Sequence, residues 1–142
     1  MTAEELAAAA RGFMNGGPNQ APPTRALGRA TFGSWPRSAA LLARQALEQG
    51  MDDFWAAAAP RAREASRHAQ LLCLGAFLID NELVSEVRHA WHGLSRACHH
   101  QIYELPPTAT ELERWLDAVD ALLAYDPIRS APSSRPRHRS PA

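Results

Sequence analysis

Residues 91–115 read WHGLSRACHHQIYELPPTATELERW, and three signals in and just before that run decide the fold. Ala90, Leu94 and Ala97 recur at helical spacing, so the run opens on the apolar face of a helix. Pro106 and Pro107 cannot continue it, because proline lacks the N–H donor and its ring crowds the preceding turn. Thr108 followed three residues later by Glu111 is a capping box, in which each side chain satisfies a backbone donor at a new helix start. A helix, a tight turn and a second helix therefore lie in succession, and a connection this short makes the two neighbours antiparallel.

The pattern extends in both directions. Upstream, Asp80 or Asn81 can cap the first helix, whose core face is Leu83, Val87, Ala90, Leu94 and Ala97, flanked by Trp91 and Cys98. This helix is expected to reach the neighbourhood of Glu104. Downstream, Leu112, Trp115/Leu116, Val119 and Leu122/Leu123 form the inner face of the last helix, which Asp126-Pro127 ends. The remaining IRSAPSSRPRHRSPA is a Ser/Pro/Arg tail with too little apolar content to fold, so disorder is expected there.

From Arg61 the chain again reads as helix. Ala65, Ala69, Leu72, Ala76 and Ile79 make one stripe and Leu71, Leu74 and Leu78 a second. Apolar residues nearly all round a helix predict a central, buried position. Cys73 is then a small core residue, and Gly75 a point where a neighbouring helix comes close. Earlier still, Ser34 and Pro36 suit a helix start. Trp35, Ala39, Leu42, Ala46 and Leu47 supply its apolar face, and Gly50 its C-terminal stop. Asp52 and Asp53 then predict a short second helix with Phe54 and Trp55 buried. The four tryptophans are expected one per helix. Thr2 and Glu5 form another capping box, for a helix over Ala3–Phe13. Its nearly all-alanine face predicts a frayed arm, joined to the body by a Gly/Pro/Asn-rich linker.

The fold class is therefore all-α, a small antiparallel bundle of about four main helices with a disordered basic C-terminal tail. The expected organisation is a short N-terminal helix plus flexible linker over 1–34, a bundle over 35–126 and the tail over 127–142. The chain has 142 residues and is 46% hydrophobic. Much of that is alanine, which favours helix but buries little area.

Formal net charge is +0, unevenly spread. Residues 45–126 carry six Arg against thirteen acids, while four Arg and no acid follow Pro127. An acidic body argues against broad nucleic-acid binding by the bundle itself. Two cysteines without CxxC spacing fit a reducing cytoplasm. The N-terminus lacks the apolar core of a secretory signal, and the longest apolar run, Ala69–Ile79, is too short to span a bilayer.

His89, His92, Arg96, His99 and Tyr103 are spaced by three or four residues, with His100 near Arg96. On one helix they share a face, and such a face has the composition of a metal-independent nuclease. There His moves protons and Arg stabilises charge on a phosphorane-like transition state. The simpler reading is a solvated polar face opposite the core. For metal, His89 and His92 with Glu86 are the candidates, though a second Glu-x-x-His pair is missing.

Arg63-Glu-Ala-Ser-Arg-His68 has the Arg-x4-His spacing of HEPN-type ribonucleases, which are helical bundles of about this size, and resembles their motif. That resemblance implies Arg63 and His68 as catalytic residues. The block LSRACHH with YELPPTATELERW resembles segments of uncharacterised small helical proteins from high-GC actinobacterial genomes and mobile elements. It implies a shared fold over about Trp35–Tyr125 and no chemistry.

The expected function is a non-enzymatic protein-interaction or regulatory module without a cofactor, its partner another protein. One alternative is an HEPN-like or other helical ribonuclease using the His/Arg residues. Another is nonspecific nucleic-acid association through Arg135, Arg137 and Arg139 of the tail. A homodimer is a further expectation if Trp91 or Trp115, which flank the Pro-Pro turn, is exposed.

Overall fold

The computed structural model describes residues 1–15, 35–99, 105–126 and 129. Among them five α-helices are found: α1 Ala3–Asn15, α2 Trp35–Ala58, α3 Arg67–Phe77, α4 Asn81–Cys98 and α5 Ala109–Ala124. A 3-10 helix, Pro60–Glu64, links α2 to α3. The all-α bundle expected from the pattern is what forms.

Helix α2 is its axis, packing against α1, α4, α5 and the 3-10 helix. It is one continuous helix of 24 residues, not two. Gly50 does not stop it. A Cβ there would lie 3.0 Å from Leu123 Cδ2, so Gly50 leaves room for the Leu123 side chain of α5 against α2. Asp52, expected to start a new helix, is instead an interior residue whose carboxylate accepts from Arg67 Nη1 at 3.0 Å. Trp35 and Trp55 consequently share α2, and the tryptophans are not distributed one per helix.

The N-terminal helix is not a frayed arm. Its Thr2/Glu5 capping box forms, with Thr2 N–H donating to Glu5 Oε2 at 2.7 Å and Glu5 N–H to Thr2 Oγ1 at 3.2 Å. Leu6, Ala7 and Ala10 are buried in the core, and Arg11 Nη2 reaches Asp117 Oδ1 at 3.2 Å and Asp120 Oδ2 at 2.7 Å on α5. Alanine buries little area, but it lets two helix backbones come close, and here that suffices for docking on α2 and α5.

Helix α4 starts as expected, with Asp80 Oδ1 accepting from the N–H groups of Glu82 and Leu83. Leu83, Val84, Val87, Ala90 and Leu94 are its buried face. It ends at Cys98, and the expected continuation toward Glu104 falls outside the described residues. The Thr108/Glu111 capping box opens α5. The buried face of α5 is Leu112, Trp115, Leu116, Ala118, Val119 and Leu122.

Helix α3 departs most from expectation. It is neither central nor buried all round: it turns only Gln70, Leu71 and Leu74 inward, followed by Leu78 just beyond its end. Leu72 and Ile79 are 63% and 60% exposed, and Cys73 is exposed as well. No helix crowds Gly75, whose nearest neighbour for an added Cβ is Arg88 Nη2 at 4.0 Å. The cause is reach. Eleven residues held between the 3-10 helix and a short turn can present one side to the bundle, and α2 already occupies the centre.

Candidate functional site

The polar face of α4 lies opposite its core face, and His89, His92 and Arg96 on it are exposed. His99 is exposed too, but it is the C-cap: its N–H donates to Ser95 O and Arg96 O, both at 3.2 Å, and its backbone has turned extended. The stripe expected to run on to Tyr103 therefore leaves the helix at His99, and His100 and Tyr103 lie outside the described residues. Glu86, half-buried, stands one turn from exposed His89. Among the described residues no three His, Cys, Asp or Glu side chains come together as a metal-holding group.

Arg63 and His68 do not share a helix. Arg63 belongs to the 3-10 helix and His68 to the first turn of α3. Between them Ala65 (φ −70°, ψ 156°) and Ser66 (φ −60°, ψ 152°) are extended. Ser66 ends the interruption as the α3 N-cap, its Oγ accepting from Ala69 N–H at 3.2 Å. Both side chains are exposed, without the enclosure that strengthens charge stabilisation in an active site. Arg135, Arg137 and Arg139 lie outside the described residues.

The charged cluster with real geometry was not evident from spacing. Trp91, half-buried on α4, has Arg44 Cζ 5.2 Å and Arg67 Cζ 5.9 Å from its ring centroid, cation–π distances on a ring that is also part of the packing. Each guanidinium is matched by a carboxylate: Arg44 Nε is 3.4 Å from Glu48 Oε1, and Arg67 Nη1 is 3.0 Å from Asp52 Oδ1. Arg67 Nη1 also donates to Gln70 Oε1 at 2.8 Å, and Gln70 Nε2 donates to Ala62 O at 2.8 Å. Gln70 is 2% exposed, so this chain of hydrogen bonds satisfies a buried amide while tying the 3-10 helix, α3 and α2 together.

Cys98 sits beside the cluster. Burial pushes its thiol up from the ordinary cysteine range, and the Arg44 guanidinium opposes that shift. The net effect keeps it protonated at neutral pH, the wrong state for a nucleophile. Chemically this cluster is a fastener between helices.

Among the described residues, a cleft and an apolar surface also stand out. A cleft of about 360 Å³ lies where the start of α1 meets α2 and α5, lined among others by Glu4, Asp53, Phe54, Leu122 and Tyr125. The other is the outer side of α3, where Leu72, Cys73, Ala76 and Phe77 are exposed and Ile79 continues the surface past the helix end. This face is firmly held from behind. Arg88 Nε donates to Leu71 O at 2.9 Å and its Nη2 to Leu72 O at 3.1 Å. Tyr125 Oη accepts from Ile79 N–H at 3.4 Å and donates to Phe77 O at 3.5 Å. Phe77 meets Trp55 edge-on at 5.0 Å between centroids. A fixed apolar surface of this kind is what a protein partner recognises.

The tryptophans flanking the Pro-Pro turn do not supply such a patch: Trp115 is 5% exposed and Trp91 is covered in part by the two arginines. No helix among the described residues is long and apolar enough to cross a membrane. No known protein family, curated protein or solved structure matches the chain.

Proposed function

We propose that this chain is a non-enzymatic interaction or regulatory module, and that the outer face of α3 is where it docks on another protein. The observation that carries this reading is the exposure of Leu72 on α3 and of Ile79 just past its end, at 63% and 60%, on a segment fastened from behind. Leaving two large aliphatic side chains about 60% exposed forgoes about 1–2 kcal/mol of burial each, a burial that a partner would recover. Two of the other surfaces fit less well: the α4 stripe is a solvated polar face, and the Arg44–Trp91–Arg67 cluster is internally neutralised. A reducing compartment such as the cytoplasm suits Cys73 and Cys98, which form no disulfide.

Affinity capture of the tagged full chain from its own host cells, with nuclease treatment, tests the reading. The expected result is a discrete protein that co-purifies with the wild type and is lost from a Leu72→Glu/Ile79→Glu variant of unchanged helicity. It should be retained by His92→Ala/Arg96→Ala/His99→Ala. Retention by the first variant and loss by the second would move the site to α4 and sink the α3 reading.

A ribonuclease is the second reading, favoured by one placement. Arg67 stands over the Trp91 ring, so the first turn of α3 is level with the C-terminal half of α4. His68 and His92 therefore belong to the same end of the molecule. RNA turnover by the purified chain, abolished in the α4 triple variant and in Arg63→Ala/His68→Ala, would establish it. An inert wild type removes it.

A further inference from the structure

Resting on the α3 reading above, we infer that the occupant of this face in the isolated protein is a second copy of the chain, paired antiparallel through α3 about a two-fold axis between Leu72 and Cys73. Three features of the face carry this.

The first is its shape. At 100° per residue, Leu72, Ala76, Ala69 and Cys73 fall within one arc of about 100°, diametrically opposite buried Leu71, Leu74 and Leu78. Within the arc one large residue is accompanied by three small ones. An antiparallel copy sets Leu72 of each chain against Cys73 of the other and Ala69 against Ala76, so every contact pairs with its mirror, as an isologous interface requires. Three small side chains also let the two helix backbones approach closely.

The second is the absence of charge. The residues on that arc are uncharged, so burying their side chains against each other desolvates no ion of their own, and the neighbouring Arg88 guanidinium is already held on Leu71 O and Leu72 O.

The third is charge complementarity at the two ends. Exposed Arg61 and Arg63 precede α3, with Glu64 cancelling one of them, and exposed Asp80 and Glu82 follow it. A two-fold axis between residues 72 and 73 brings the Arg61–Arg63 end of one copy beside the Asp80–Glu82 end of the other. A parallel pairing would stack like on like. The helix dipoles favour the same arrangement, each positive N-terminus lying by a negative C-terminus.

The face also sets the strength of the pair. Eleven residues of helix span about 16 Å, so the seam falls short of the roughly 800 Å² per partner of a typical stable interface. The dimer is therefore concentration-dependent.

Sedimentation equilibrium on the full chain from about 1 to about 500 µM covers the range where so small an interface dissociates. The expected mass rises from one chain to two. Leu72→Glu should weaken association by at least about tenfold, since it buries like charges across the axis. Leu41→Glu, on a leucine that is 50% exposed on α2, should leave it unchanged. Arg63→Glu should weaken the pair and Arg63→Glu/Glu82→Arg restore it. In a Cys98→Ser background, a short bismaleimide should link the Cys73 thiols of two copies. Moving the thiol to α5, with Cys73→Ser and Glu113→Cys, should lose the link.

A single-chain mass throughout overturns the inference, as does a dimer indifferent to Leu72→Glu. If the chain is monomeric yet the Leu72→Glu/Ile79→Glu variant loses its captured protein, self-pairing fails and the docking reading stands. A dimer with no captured protein sensitive to that variant keeps the pairing and removes the separate partner.

Discussion

Gly93 and Gly75 are the same residue type on neighbouring helices, and the two answer to opposite surroundings. A Cβ on Gly93 would stand 2.9 Å from Trp115 Cη2 and closer still to Cε2 and Cζ2, and Trp115 is 5% exposed, so its ring has nowhere to go. A Cβ on Gly75 meets only the far end of Arg88, at 4.0 Å. Alanine gains about 1 kcal/mol of helix propensity over glycine at either site, but at Gly93 three ring atoms inside 3 Å put the opposing overpacking penalty at the upper end of its usual range, about 2–3 kcal/mol. Gly93→Ala is therefore expected to destabilise the protein by about 1–2 kcal/mol, while Gly75→Ala stabilises it by about 0.5–1 kcal/mol. Urea unfolding of the two variants beside the wild type checks both signs, and a stabilised Gly93→Ala would mean that α4 and α5 do not meet there. None of this was legible from spacing. A glycine inside a helical pattern says only that something unusual is required or tolerated there, and here the informative glycines were Gly50 and Gly93, not Gly75.

At the scale of elements, capped helix starts were the most legible part, because a cap is a local transaction between a side chain and N–H groups two or three residues away, although the start expected at Arg61 lies instead after the Ser66 cap. Thr2, Asp80 and Thr108 all act as read. Thr108→Ala removes the hydroxyl that accepts from Glu111 N–H at 3.2 Å and should cost about 1 kcal/mol by thermal or urea unfolding, the usual worth of an N-cap. The Thr2/Glu5 box adds a pH dependence. The Thr2 N–H holds the Glu5 carboxyl below its ordinary value of 4.5. A carboxylate favoured in the fold contributes its stabilisation above that ordinary value and loses it as pH falls through the lowered one. Wild type should thus resist proteolysis of residues 1–15 better than Glu5→Gln at neutral pH, and the two should converge only in acid well below 4.5, once the pH has passed the lowered value of Glu5. A difference that persists there would mean Glu5 acts through something other than its charge. Helix ends were less legible than starts. Gly50 and Asp52-Asp53 have the local chemistry of a stop and a restart, but packing of α5 against Gly50 and the Asp52–Arg67 bond carry α2 straight through.

At the scale of the whole molecule, what the sequence withheld was which helices claim the centre. An apolar run reads as buried and an alanine run as indifferent, yet α3 is peripheral and α1 is docked. Both outcomes follow from geometry that no single helix encodes: α2 is long enough to serve several neighbours, and alanine faces let them come close. The candidate site was hidden for the same reason, since Leu72 and Ile79 become a surface only once α3 is displaced from the core, and Trp91 becomes a cation-stacked ring only once α2 and α3 flank it. Docking of α1 gives the sharpest test of this architecture. Ala10 is 0% exposed while Ala8, on the same helix, is exposed, and leucine has almost the helix propensity of alanine. On a free arm the two substitutions would be equivalent and silent. On the docked helix Ala8→Leu should change stability by less than about 0.5 kcal/mol, whereas Ala10→Leu must wedge three extra carbons between closely approaching backbones. Its expected cost is about 1–3 kcal/mol, limited from above by the free energy of docking, because α1 can come off instead. Urea unfolding reads the cost, and proteolysis of residues 1–15 reads the escape. Arg11→Ala, which breaks only partly exposed ion pairs to Asp117 and Asp120, should cost no more than about 1 kcal/mol. If Ala10→Leu proves as silent as Ala8→Leu, α1 is not part of the core. The bundle would then have to find its cover for the small-residue face of α2 elsewhere.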